Sequence, residues 1–148
     1  IDKWSEKKNP EGSNGMVCDK DMKKIRKILS QKELKDKYKI VLIHHHFNKA
    51  KLNEEYPAQS LWLKTVDYKM KLHNKNKLAD LFKKQKVNLV LHGHTHINEV
   101  YNIKGVTYIN SSAACVPLTD DQSRMYNIIS IPGENETDRI LTVETIRL

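Results

Sequence analysis

The chain has 148 residues, a one-domain length, with 39% hydrophobic and 30% charged residues, a globular balance that excludes a disordered chain. No apolar run nears the roughly 18 residues of a membrane span, so no membrane partner is expected. The net charge of +8 gathers in lysines across 20–39 and at Lys83, Lys84 and Lys86; a nucleic-acid partner is possible on charge alone, but no aromatics interleave these lysines, which suits a solvated helix face better.

Ile1 stands where a methionine would begin an open reading frame, so a partial chain is expected. Residues 1–10 are polar and show no signal peptide. Cys18 and Cys115 lie far apart with no further pair, which argues against a disulfide framework and leaves the compartment open.

Residues 1–15 hold Pro10, Gly12, Ser13, Asn14 and Gly15 and read as a loop. Met22, Ile25, Ile28 and Leu29 then recur at helical spacing, with Asp19 or Asp21 as caps and an end near Lys37. Residues 39–43 read as a strand that is apolar on both faces and stops at His44-His45-His46. A polar connection over 47–57 leads to a helix over 61–72, with Trp62, Val66 and Met70 on one stripe. Leu78, Leu81 and Phe82 mark another helix. The strand over 87–91 stops at His92-Gly93-His94-Thr95-His96. Strands over 97–103, 106–110, 125–131 and 139–148 follow, with turns at Lys104-Gly105 and Pro132-Gly133, and read as an antiparallel meander.

Two apolar strands separated by helices are expected to run parallel, with their carboxyl ends on one side. Ligand sites of open α/β sheets form at that edge. The two histidine groups should therefore converge. They hold six of the seven histidines; His73, the outlier, reads as a surface residue.

His94 and His96 are two apart, so in extended chain they share a face at roughly 6.5–7 Å. That separation suits two ions about 3.5–4 Å apart, each taking one imidazole. Gly93 clears a side chain where the backbone would turn, and His92, at the strand end, would support the ligands from behind. In the other group, His44 leaves the strand first and is the natural ligand. In extended chain His45 points to the opposite face, and His46 shares a side with His44, within reach of the metal shell or the substrate.

The order of apolar strand, His-His-x, some fifty residues, apolar strand and Gly-His-x-His resembles the calcineurin-like metallophosphoesterase superfamily. Residues 12–29 are similar to the family's stretch before the helix that precedes its His-His element, and Tyr108-Ile109-Asn110-Ser111-Ser112 to its Asn-Pro-Gly-Ser segment. The resemblance implies an α/β fold: the C-terminal half of a metallophosphoesterase β-sandwich, flanked by helices in αββα layers and closing in the meander. It implies that 1–148 is the C-terminal portion of one domain. It implies hydrolysis of phosphomonoesters or phosphodiesters at two divalent ions (Mn, Fe or Zn) with a bridging hydroxide. Carried over by motif, His44 and His94 would bind one ion and His96 the other. His45 and His46 are the candidate catalytic residues, and the substrate-binding residues are not assigned. Residues 47–72 would border the cleft, with Tyr56 and Trp62 as possible substrate contacts.

His46 stands where the family usually has proline, and Ser111-Ser112 replace Pro-Gly. The family's Asp-x-His, Gly-Asp-x-x-Asp and Gly-Asn-His elements do not occur in these residues. Neutral imidazoles leave the charge of two divalent ions unopposed, and Asp120 and Asp121 read as turn residues. The expected partners are therefore a phosphoester substrate and the missing N-terminal half of the domain, as a companion segment or chain. The alternative is a non-catalytic scaffold that keeps the fold as a partner-binding surface.

Overall fold

A computed structural model of the protein describes residues 14–47, 71–93, 98–111, 125–131, 133 and 141–147. Helix α1 (Asp19–Leu29) turns Met22, Ile25 and Leu29 toward the core. Ile28 was placed on the same stripe but is 54% exposed, because at 100° per residue it falls on the flank of that face. The helix ends earlier than expected, and a short 3-10 turn (Lys32–Leu34) follows. Cys18 is its N-terminal boundary and makes no side-chain cap; Asp19 and Asp21 sit inside the first turn, where the helix dipole favours carboxylates. Cys18 is a free thiol whose Sγ lies 3.1 Å from Asp21 Oδ2.

Strand β1 (Ile40–Leu42) leads, through residues 43–74, to helix α2 (Lys75–Lys84), which buries Leu78, Ala79, Leu81 and Phe82. Strand β2 (Leu89–His92) follows. Strands β3 (Glu99–Ile103) and β4 (Val106–Asn110) form a hairpin. Strands β5 (Met125–Ser130) and β6 (Thr142–Arg147) pair antiparallel as a second, two-stranded sheet. The main sheet has the order β1-β2-β4-β3. β1, β2 and β4 run parallel and β3 runs antiparallel to β4.

This α/β architecture meets the expectation of parallel β1 and β2. The meander divides instead: the β3–β4 hairpin joins the parallel sheet, and only β5 and β6 stand apart. Register sorts the side chains. Val41, Val90, Tyr108 and Tyr101 lie in one row across the sheet, on the face that packs against α1 and α2. Leu42, Leu91, Ile109 and Val100 form a row on the opposite face. There Ile109 is fully buried, whereas Leu42 is 77% exposed. β1 is thus covered on one face only, contrary to the expectation of a strand buried on both, because the helices pack on the face of Val41 while Leu42 on the other remains exposed.

Leu72, expected to end a helix, forms an isolated parallel bridge with Gly15. Lys71 is not helical either, and residues 61–70 of that expected helix lie outside the described residues, as do Tyr56, Trp62, His94, His96, Cys115, Asp120, Asp121 and Pro132. Lys39 fixes the start of β1: its amide donates to Asn88 Oδ1 at 2.8 Å, and its carbonyl accepts from the amides of Asn88 and Leu89.

The β3–β4 turn carries positive φ at both Lys104 (56°) and Gly105 (84°), as a two-residue hairpin turn of the primed type requires. The Gly105 amide donates to Asn102 Oδ1 at 2.8 Å, and Lys104 pairs with Asp80 on α2. A Cβ at Gly105 meets no neighbour, so backbone conformation alone demands glycine there. Gly105→Ala should therefore cost about 1–2 kcal/mol of stability, read as a lower urea midpoint at unchanged slope.

Candidate functional site

Three strand ends meet at the carboxyl edge of the main sheet. The Ile43 amide donates to the Leu91 carbonyl at 3.0 Å, and the Gly93 amide to the His44 carbonyl at 3.3 Å. The Ser111 amide donates to the His92 carbonyl at 3.0 Å. The β1–β2 ladder thus continues into both histidine groups, and β4 brings Asn110 and Ser111 beside them. His92 and Asn110 are register partners, and Asn110 is register partner to Glu99.

The histidines divide between outside and inside. His44 is exposed and His45 half-buried, their rings edge-on at 5.7 Å and 87°. His46 is buried, 3% exposed. The expected alternation, which put His44 and His46 on one side, fails because the chain bends at His44 and His45 instead of staying extended. His73 is exposed, as expected.

His92, 6% exposed, faces the helical core. Phe47, Tyr101 and Tyr108 surround its ring at centroid distances of 6.2, 5.5 and 6.5 Å. Its Nε2 shares a 2.5 Å hydrogen bond with the Tyr101 hydroxyl. Tyr101 in turn stacks on Tyr108 at 5.4 Å and 11°. Burial pushes the His92 imidazole down to about 4; the Gly93 backbone opposes that shift and His46 adds to it. His92 is therefore a neutral strut at the end of β2. Burial also pushes the Tyr108 hydroxyl up to about 12.

Gly93 lies outside the left-handed region, and among the described residues nothing crowds the place of its Cβ. The turn expected after Gly93 lies outside the described residues. Tyr101 and Gly15, whose position bears on His45, escaped the sequence reading. The alternation of β3 puts Tyr101 on the buried face once the β3–β4 register is known; Gly15 carries no such signal.

Neutral imidazole suits Mn, Fe or Zn; among the described residues the exposed His44 is the imidazole at this edge that is open to solvent, and His94 and His96 lie outside the described residues. Among the described residues no three His, Cys, Asp or Glu side chains come together. A separate cavity of about 610 Å3 opens at the opposite, amino ends of the strands, where Tyr38, Lys83, Lys86 and Asn88 contribute to its lining and no histidine does.

A family model described as the calcineurin-like phosphoesterase superfamily domain matches residues 12–133. Among curated proteins, none matches the chain. Among solved structures, wild-type Vps29 of Entamoeba histolytica complexed with zinc is similar at 21% identity and a TM-score of 0.33, over 51% of this chain and 48% of that one. A single mutant of the same Vps29 is similar at 22% identity and a TM-score of 0.30, over 52% and 48%. The chain thus spans about half the length of these structures.

Two outcomes are expected. Tyr101→Phe leaves the buried His92 nitrogen without its partner and should cost about 1–3 kcal/mol in chemical denaturation. The His92 contribution to stability also depends on pH. Its folded pKa lies below its unfolded value, so the contribution is complete above about pH 6.5 and is lost as pH falls toward 4. A urea midpoint followed from pH 7 to 4 should fall less steeply in His92→Asn than in the unsubstituted chain.

Proposed function

Because the chain belongs to the calcineurin-like phosphoesterase superfamily, we propose that it supplies the imidazole side of a two-metal site that hydrolyses phosphomonoesters or phosphodiesters. The observation that carries this reading is the backbone link between the two histidine groups, in which Gly93 donates to His44. It sets the first residue of one group beside the root of the other. His44 and His94 would hold one ion and His96 the second. Mn, Fe or Zn, when bound, would polarise the phosphate and bring a water's pKa to about 7.

The chain's own residues do the positioning. His92 is held neutral by burial and inward by its hydrogen bond to Tyr101, so it would serve the packing and not compete for an ion. His45 stands edge-on to His44, within the same bend, and is the candidate to meet the substrate. His46, buried as it is, is placed to support that bend, and any role at the reacting centre would require it to reach past the core.

The carboxylate ligands would come from a companion segment, the N-terminal half of the domain. Two independent features support this. Two divalent ions carry four positive charges that imidazoles do not offset, and the motifs that bear the family's acidic ligands do not occur in these residues. Strand β1 also leaves Leu42 77% and Ile40 39% exposed, an apolar surface that a further sheet of the αββα sandwich would cover.

Substituting His94 and His96 by alanine, one at a time, tests the reading in the full-length or reconstituted protein. Each should lower turnover of p-nitrophenyl phosphate or its diester by on the order of a hundredfold and reduce bound metal. Activity that survives both changes would overturn the assignment. Metal retained with no turnover in the unsubstituted protein would favour the scaffold alternative.

A further inference from the structure

We propose that Gly15 is a positioning residue for His45: the missing side chain at Gly15 is the space in which the imidazole sits. This rests on the reading of His45 as a group at the reacting centre. A Cβ at Gly15 would fall 2.8 Å from both Cε1 and Nε2 of His45 and 3.0 Å from its Cδ2. Carbon atoms pack at about 3.5–4.0 Å, so ring and methyl cannot share that place. The φ of Gly15 lies outside the left-handed region, so its backbone would accept any residue. Only the space requires glycine.

The backbone of Gly15 cannot retreat to make room. Its amide donates to the Lys71 carbonyl and its carbonyl accepts from the His73 amide, both at 3.0 Å. On one side the Lys71 amide donates to Asn14 Oδ1 at 2.9 Å. On the other the Val17 amide donates to Asn74 Oδ1 at 3.1 Å, and Asn74 Nδ2 returns a bond to the Val17 carbonyl. Residues 14–17 are thereby clamped to residues 71–74, which lead into α2. With the clamp fixed, a side chain at position 15 displaces the imidazole. Its neighbours are His44, edge-on at 5.7 Å, and the bend whose His44 carbonyl holds Gly93. The clamp thus serves as a wall that sets the His45 ring relative to the candidate ligand beside it.

A double-mutant cycle in the full-length or reconstituted protein tests the assignment. Gly15→Ala should lower Tm by about 3–8 °C and kcat on p-nitrophenyl phosphate by roughly tenfold to a hundredfold, with KM within about twofold. In a His45→Ala background, which vacates the space, the same substitution should shift Tm by less than about 1 °C and leave turnover at the His45→Ala level. If Gly15→Ala does not fold alone, its recovery in the His45→Ala background reports the same coupling. A Tm loss of equal size in both backgrounds would overturn the proposal, because Gly15 would then act on something other than His45. Coupling in Tm with wild-type turnover in both single variants would confirm the packing and overturn the functional role of His45, and with it the positioning role of Gly15.

Discussion

The parallel pairing of β1 with β2 is the constraint on which the rest of this structure depends. Backbone hydrogen bonds do not end with the strands; they continue through Ile43 to Leu91 and Gly93 to His44. Two histidine groups some fifty residues apart in the chain are thereby joined, the first residue of one to the second of the other. Parallel pairing requires a long crossover, and α2 within that crossover covers the sheet with Leu78, Leu81 and Phe82. The core and the candidate site are thus two consequences of one topological choice.

The same edge separates the histidines by solvent. An imidazole at the sheet edge keeps its hydration, whereas one buried among Phe47, Tyr101 and Tyr108 loses it and is held neutral. His92 accordingly becomes part of the packing. His44 remains outside, and His45 rests against a clamped backbone at Gly15. One residue type therefore takes three places at one sheet edge: exposed donor, supported ring and neutral strut. What tells them apart is the neighbour each one meets.

The division also bears on what the proposed site would need beyond these residues. Imidazole nitrogen binds metal well but brings no negative charge, and Glu99 approaches this edge only in register with Asn110. Leu42, on the open face of β1, points to the same need from the side of packing. On the two-metal proposal, charge would require further ligands, and the exposed Leu42 is the apolar surface that a further layer at β1 would cover.

Much of this was legible in the residues alone. Alternation and apolar runs located the six strands among the described residues to within a few residues, because burial of a strand imposes a pattern of period two or a continuous apolar stretch. Met22, Ile25 and Leu29, and Leu78, Leu81 and Phe82, marked the helices by the same logic at period 3.6. Gly-His-x-His after an apolar strand pointed to the superfamily that the family model over residues 12–133 shows. Local pattern did not reveal the split of the meander, the bend at His44 and His45, the inward turn of His92 or the approach of His45 to Gly15. Each of these depends on contacts between segments distant in the chain: β4 chooses β2 as a partner across the sheet, Tyr101 reaches back to His92, and residues 71–74 clamp residues 14–17. The sequence determined which groups could serve a phosphoesterase site and on which strands they would ride. Tertiary structure decided which of them face solvent, because burial and hydrogen-bond partners are set by neighbours in space and not by neighbours in the chain.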